Sequence, residues 1–502
     1  MIGRRIMVQG TGSYVGKSVV TAALCRYFRE EGLRVAPFKA QNMSNNSFVT
    51  PDGREIARAQ AFQAAACGIE PAVEMNPVLL KPSSDRMSQV VVLGKPVKSM
   101  TAREYHAYQP QLTRLIRESL ERLSEQYDIV VIEGAGSPAE VNLREFDIVN
   151  MAVARMDRTP VILVADINPG GMFAWLVGTL ELLEEDERSL VKAFVINKFR
   201  GDLSLLESGI EWLEAKTGKR VLGVLPFVPD LAIPEEDAFP ETKWKNAKPY
   251  DPNKINVEVI LLPHISNATD FDSLEREPDV IVHYLARVPS SLEPPPDLLI
   301  LPGSKSTIAD LAYLRSEGFA EHIYRCHDRK VPIAGICGGF QMLGKHLLDP
   351  RGVESDQKIA EGLGLLDLTT TFENEKRIER ARARSIDYDS EVEGYEIHMG
   401  QTQTSESIPP MFRLLNDHGR LTDRADGARS EGGLVWGTYI HGAFDAASFR
   451  RNYLNSLRHR RGWQPLMPRE DSGHASAFNT LSTLVRNHFD LNLLHRIVNQ
   501  GC

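Results

Sequence analysis

Short, uninterrupted apolar runs alternate with helically spaced apolar residues through the first half of the chain. The runs are Ile6 to Val8, Val35 to Phe38, Ile129 to Ile132, Val161 to Ala165 and Ala193 to Ile196. A run without polar alternation suits a strand covered on both faces, so the pattern predicts a doubly wound parallel sheet with helices on each side. Between the first two runs, Val19, Val20, Ala23, Leu24, Tyr27 and Phe28 fall on one helical stripe, and Gly32 is placed to end that helix. A second β/α series starts at Val257 to Leu262 and continues through Leu298 to Leu301, Ile333 to Ile336 and Val435 to Ile440. The fold class is therefore α/β, in two successive units.

The two series are separated by a stretch of different character. From Pro226 to Pro252 there are six prolines, the acidic cluster Glu235-Glu236-Asp237 and no sustained periodicity. The expected organisation is a first domain over 1–235, a connection over 236–254, a second domain over 255–449 and a helical extension over 450–502. The run Pro294-Pro295-Pro296 lies inside the second series and reads as a loop before a strand. The extension opens with Arg450, Arg451, Arg458, Arg460 and Arg461, read as a solvated helix face.

Composition narrows the class of partner. A chain of 502 residues with 42% hydrophobic and 25% charged residues has enough apolar material for more than one core. Its net charge of -9 gives no footprint for nucleic acid. The five cysteines form no C-x-x-C pair, which argues against a disulfide framework or a zinc site and for a reducing compartment. Arg4 and Arg5 are followed by too short an apolar run for a signal peptide, and no stretch approaches the roughly 20 apolar residues that span a bilayer. A cytoplasmic protein with no membrane partner is expected; oligomeric state is left open.

Chemistry enters at the end of the first strand, with Gly10-Thr11-Gly12-Ser13-Tyr14-Val15-Gly16-Lys17-Ser18. Small residues between a strand and a helix let backbone N–H groups converge on phosphate oxygens at the helix N-terminus. Lys17 then reaches the terminal phosphates of ATP, and Ser18 offers its hydroxyl to Mg²⁺. Thr11 occupies the position of the usual first glycine of this phosphate loop, and Gly10 lies one residue early. Glu133, at the end of Ile129 to Ile132 and followed by Gly134-Ala135-Gly136, is where a second Mg²⁺ ligand belongs. Asp166 holds an equivalent rim position. Asn197, beside Lys198, reads either as a base contact or as a turn residue. The segment Phe38 to Ser47 is dense in amides and hydroxyls: Lys39 is a cation suited to a transferring phosphoryl group, and Gln41, Asn42, Ser44 and Asn45 are candidates for a large polar substrate.

The second series carries a different reactive group. Gly335-Ile336-Cys337-Gly338-Gly339 follows a strand and precedes the helical run Phe340 to Leu348, the arrangement of a nucleophile elbow, which exposes a thiol at a helix N-terminus. Cys337 is the candidate nucleophile. His441, at the end of the last strand, is the candidate base, with His398 as a rival that otherwise lines the site. Gly303 and Ser304, after another strand, together with Gly338 and Gln341, are candidates for the oxyanion hole and for binding a glutamine amide.

These motifs resemble the cobyric acid synthase family, glutamine-hydrolysing ligases of cobalamin biosynthesis that join a P-loop domain to a class I glutamine amidotransferase. The first half is similar to the dethiobiotin synthetase group through Gly10 to Ser18 and Glu133 to Gly136. The second is similar to class I amidotransferases through Gly335 to Gly339 and His441. Lys39-Ala40-Gln41-Asn42-Met43-Ser44-Asn45, Glu55 to Gln60 and Gly394 to Gly400 are the most specific markers. The resemblance implies ATP and Mg²⁺, with L-glutamine as nitrogen donor and adenosylcobyrinic acid a,c-diamide as acceptor, amidated at its b, d, e and g carboxylates. Ala443 stands where class I members carry a glutamate, so a dyad of Cys337 and His441 is implied. The alternatives are the sister synthase that makes the a,c-diamide, a partition-type regulatory ATPase, whose signature lysine would fall at Gly12, and a free-standing glutaminase.

Overall fold

The computed structural model describes residues 3–84, 87–229, 231, 249–405, 407–416, 418–469 and 473–500. Most of the expected 236–254 connection, the Glu235-Glu236-Asp237 cluster and Cys502 lie outside the described residues. The first apolar runs form a six-stranded parallel sheet in the order Arg220–Pro226, Val191–Phe199, Val161–Asp166, Arg4–Gly10, Ile129–Glu133 and Val35–Phe38. Arg4–Gly10 lies in its middle, between Val161–Asp166 and Ile129–Glu133, so the chain leaves it toward both sides. Ligands of open α/β sheets bind at such a switch point, beyond the carboxyl ends of the strands. The loop Gly10 to Gly16 lies there.

The second sheet runs Val280–Leu285, Ile255–Ile260, Leu298–Leu301, Ile333–Ile336 and Val435–Thr438, all parallel, with Ala428–Arg429 antiparallel at one edge. Two further sheets were not expected. Val78–Ser84, Met87–Val92 and Lys95–Thr101 form a meander joined to Gln41–Met43. Leu368–Ser385 and Glu391–Thr404 form a long antiparallel hairpin against the second domain. The helical run expected over Phe340 to Leu348 is shorter: the helix is Gly338–Met342, and His346–Leu348 is a strand paired with Thr369 to Thr371. Pairing satisfies the backbone there, and Leu347 is buried by it.

The end of the chain returns to the first domain. Helices Gly473–His488 and Leu491–Gln500 place Phe478, Leu481, Val485, Leu494 and Ile497 in the same apolar cluster as Ile6, Val8, Val20 and Leu24. Each fully buried side chain of this size stabilises by roughly 1.5–3 kcal/mol, so these helices form part of the first domain's core.

The arginines at the head of the extension correct the expectation of a solvated face. Helix Ala447–Arg460 buries Arg450 and Arg451 to 2% and 1% exposure. Arg450 pairs with Glu277 at 2.7 Å, Arg451 with Glu277 and with Asp279 at 2.9 Å, Arg458 with Asp279 at 2.9 Å, and Arg461 with Asp297 at 2.5 Å. Their acidic partners lie far back in the sequence, beyond the reach of a local reading of charge.

Candidate active sites

In the phosphate loop, Gly10 closes the strand and Lys17 opens helix Lys17–Glu30. Gly16 takes φ 103°, and a Cβ there would lie 2.0 Å from Asn197 Nδ2, so the turn admits only glycine. Asn197 donates to the Val15 carbonyl at 2.9 Å, and Lys198 donates to the Tyr14 carbonyl at 2.7 Å while pairing with Asp166 at 2.7 Å. Asn197, Lys198 and Asp166 thus brace the loop from outside. Lys17 Nζ bridges two glycine turns through the carbonyls of Gly12 (2.9 Å) and Gly136 (3.2 Å). The Thr11 N–H donates to the Val164 carbonyl and extends the sheet, while its buried hydroxyl has no partner among the described residues. Space above Gly12 is open.

Glu133 is fully buried and is the hub of this floor. It accepts from Ser18 Oγ at 2.9 Å, Lys39 Nζ at 3.0 Å and Gln63 Nε2 at 2.5 Å. Gln63 escaped the sequence reading because nothing in its own helix marks it. A hydroxyl and a carboxylate side by side at the end of a phosphate loop form an all-oxygen donor set that suits Mg²⁺.

A cavity of about 1460 Å³ opens above this floor, larger than the roughly 300–1,000 Å³ of ordinary small-molecule sites. Lys17, Ser18, Lys39 and Asn197 line it, and so do Gln41 and Asn42. Gln41 accepts from Tyr105 OH and Asn42 donates to Gln60 at 2.9 Å, so both amides are held in place. Met43, Leu143 and Phe146 are exposed apolar residues on the same wall. Ser44 and Asn45 do not line the cavity. Ser44 Oγ accepts from the Asn46 N–H at 3.0 Å, and the chain turns there toward the second domain.

The cysteine is held by crowded glycines. Cys337 has φ 51° and ψ −108°, a strained setting for a residue with a side chain. A Cβ on Gly338 would come within 2.8 Å of the Ser304 nitrogen, and one on Gly339 within 2.1 Å of the Leu301 carbonyl oxygen. The elbow therefore packs directly on the Leu301 to Ser304 strand end, bringing Gly303 and Ser304 beside the thiol. Cys337 Sγ points to the Ile397 carbonyl at 3.6 Å. Gln341 donates to the Met399 carbonyl (3.0 Å) and to Tyr439 OH (3.2 Å), and accepts from Thr307 (3.1 Å). His398 stacks on Tyr439 with ring centroids 3.7 Å apart and its Nδ1 lies 3.1 Å from the Gly400 carbonyl. It lies on the wall near Gln341, whereas His441 meets the thiol.

A third residue completes the histidine, contrary to the implied dyad. Asp270 Oδ2 lies 2.7 Å from His441 Nδ1, and Asp270 Oδ1 accepts the Gly442 N–H at 2.9 Å. Ala443, the departure from the class I pattern, is buried in the apolar core, and its missing carboxylate is supplied from 3₁₀ turn Ala268–Phe271 instead. Burial alone would lower the His441 pKa, but the charges of Asp270 and then Cys337 oppose it and raise it to about 10. This arrangement favours the protonated imidazolium of His441. The signal available in the sequence was the polar cluster Ser266-Asn267-Ala268-Thr269-Asp270 just past a strand's carboxyl end.

Comparison with known proteins agrees with this geometry. Residues 6–240 match the family described as CobQ/CobB/MinD/ParA nucleotide binding domain, and residues 256–449 match the CobB/CobQ-like glutamine amidotransferase domain. The chain is 51% identical over 472 residues to the cobyric acid synthase of Pelotomaculum thermopropionicum, covering 92% of this chain and 89% of that one. It is 44% identical to that of Desulforamulus reducens, covering 100% and 99%, and 48% identical to that of Sorangium cellulosum, covering 99% of each. Among the described residues no helix is long and apolar enough to cross a membrane. With a phosphate-loop cavity in one half, a Cys-His-Asp site in the other and relatives matched end to end, the chain belongs to the cobyric acid synthase family, glutamine-dependent amidotransferase ligases of cobalamin biosynthesis.

Proposed function

We propose that the chain amidates the b, d, e and g carboxylates of adenosylcobyrinic acid a,c-diamide, using ATP and the amide nitrogen of glutamine, in the cytoplasm. The observation that carries this reading is one large cavity, with Lys17 and Ser18 at one end above the buried Glu133, and the fixed amides of Gln41 and Asn42 with an apolar wall at the other. A nucleotide fills only part of that volume. The remainder suits a broad ligand with amide and carboxylate arms on an apolar body, which Gln41 and Asn42 can hydrogen-bond. We assign amide formation to residues 1–235 and glutamine hydrolysis to residues 255–449.

In the second domain, the Cys337 thiolate attacks the glutamine amide carbonyl. Gly303, Ser304 and Gly338 supply backbone N–H groups near the developing oxyanion, and Gln341 and His398 shape the pocket. His441, oriented by Asp270, gives its proton to the departing ammonia, and water then releases glutamate from the thioester. In the first domain, a corrinoid carboxylate attacks the γ-phosphorus of ATP, ADP leaves, and ammonia displaces phosphate from the acyl phosphate. Backbone N–H groups from Gly10 to Gly16 hold the phosphates, with Lys17 and Lys39 countering their charge and Asn197 fixing the loop. Ser18 and Glu133 would hold Mg²⁺, which neutralises phosphate charge when bound.

ATP hydrolysis measured with and without the corrinoid tests this reading. Hydrolysis that rises only when corrinoid and a nitrogen source are both present supports it; hydrolysis indifferent to corrinoid contradicts it, and favours the regulatory ATPase.

A further inference from the structure

Asn267 connects the two halves at the catalytic histidine. It is 2% exposed and sits at a left-handed backbone position, φ 51° and ψ 44°, one residue before the turn that carries Asp270. Its carboxamide is engaged at both ends. The Ser47 N–H of the first domain donates to Asn267 Oδ1 at 2.8 Å, and Asn267 Nδ2 lies 3.2 Å from His441 Nε2. A backbone N–H can only donate, so the amide oxygen must face Ser47 and the NH₂ must face the imidazole. An NH₂ group also only donates. Nε2 is therefore the acceptor in this state, and the ring proton sits on Nδ1, directed at Asp270.

Nε2 is the atom that takes the Cys337 proton, and here its lone pair is occupied by Asn267 while the thiol points to the Ile397 carbonyl. Asp270 and Cys337 favour a doubly protonated ring, whereas the Asn267 NH₂ requires Nε2 to be bare. The two arrangements exclude each other.

The anchor of Asn267 belongs to the segment that lines the cavity. Gln41 and Asn42 face the cavity; a few residues later Asn46 Oδ1 accepts the Ala268 N–H at 3.1 Å, reciprocating the Ser47 bond. The Arg58 N–H donates to the Asn46 carbonyl at 3.0 Å, and the Arg58 guanidinium reaches Tyr395 OH (3.4 Å) and Asp445 (3.3 Å) beside His441. Tyr395 in turn exchanges backbone hydrogen bonds with His441. One contiguous set of first-domain residues thus grips the turn and the strand that hold the histidine.

We propose that Asn267 is a positioning residue that occupies the lone pair of His441 Nε2 while Ser47 anchors it, and yields that lone pair to the Cys337 proton when occupancy of the cavity shifts the 41–47 segment. Glutamine hydrolysis is then slow until ATP and corrinoid are in place, which prevents ammonia from being released to no purpose. The coupling direction rests on the cavity being the ATP and corrinoid site; the grip on His441 does not.

Asn267→Asp in the full chain separates this role from a merely structural one, because the carboxylate keeps an oxygen for Ser47 but loses the donor to Nε2. Two rates are measured without ATP or corrinoid: carboxamidomethylation of Cys337 by iodoacetamide, followed by mass spectrometry of its peptide, and glutamate release from glutamine. Both should rise about fivefold, the factor one net hydrogen bond is worth, and stimulation of glutamate release by ATP plus corrinoid should fall toward unity. Asn46→Ala should move both rates the same way. Unchanged or slower alkylation in Asn267→Asp would overturn the proposal. Ammonia-dependent amidation by wild-type enzyme is measured alongside: its absence would refute the substrate reading while leaving the alkylation result to decide the role of Asn267.

Discussion

Asp270 and His441 form a buried pair, 2.7 Å from carboxylate oxygen to Nδ1, across 171 positions of sequence. The carboxylate fixes the tautomer and stabilises the imidazolium that forms when the thiol is deprotonated. Replacing Asp270 by Asn should slow glutamate release by roughly 10²-fold or more at neutral pH. Because the lost charge is one that raises His441 to about 10, the alkaline limb of the kcat/KM profile should also move to lower pH. An alkaline limb that stays in place would remove Asp270 from the mechanism.

Cys337→Ala should abolish amidation from glutamine and leave ATP-driven amidation from ammonium salts measurable. His441→Ala should cost about 10²-fold in glutamate release, whereas His398→Ala, which removes a ring stacked on Tyr439, should cost less. The reverse order of the two histidines would exchange their roles.

At the phosphate loop, Lys17→Ala and Glu133→Gln remove the bridge between the glycine turns and the charged hub under Ser18 and Lys39. Both should suppress ADP formation while Cys337 still hydrolyses glutamine. Normal ADP formation in both variants would move the nucleotide elsewhere.

The buried arginines make a prediction about stability alone. Arg451→Ala leaves Glu277 with Arg450 alone and Asp279 with Arg458 alone, so it should lower the urea midpoint, by less than the about 3–5 kcal/mol that a buried charge stripped of every partner costs. A urea midpoint close to that of the wild type would mean that the pair is solvated.

What the sequence disclosed follows from how local each signal is. The covered strands, the phosphate loop and the Cys337 elbow are written in consecutive residues, where a glycine or an unbroken apolar run has one structural reading. Asp270 and Gln63 are contributed from distant segments, and a lone carboxylate or amide carries no mark of the partner it will meet. Arg450 and Arg451 misled for the same reason, since a basic run looks solvated until Glu277 and Asp279 are folded against it. The long hairpin was missed because strand Leu368–Ser385 buries only alternate positions over part of its length and carries arginines and glutamates on its open face. Within the amide-rich segment, Gln41 and Asn42 face the cavity while Asn46 and Ser47 face the second domain, a division that composition does not contain.

The side-chain nitrogen of glutamine should end in the amides of the corrinoid. Wild-type enzyme is supplied with ATP, Mg²⁺, glutamine labelled with ¹⁵N in the side-chain amide, and adenosylcobyrinic acid a,c-diamide, and the corrinoid is followed by mass spectrometry. Four successive conversions of carboxylate to labelled amide are expected, each accompanied by one ADP. A product that stops after two conversions, or activity confined to the unamidated acid, would contradict the proposed function and indicate the chemistry of the sister synthase.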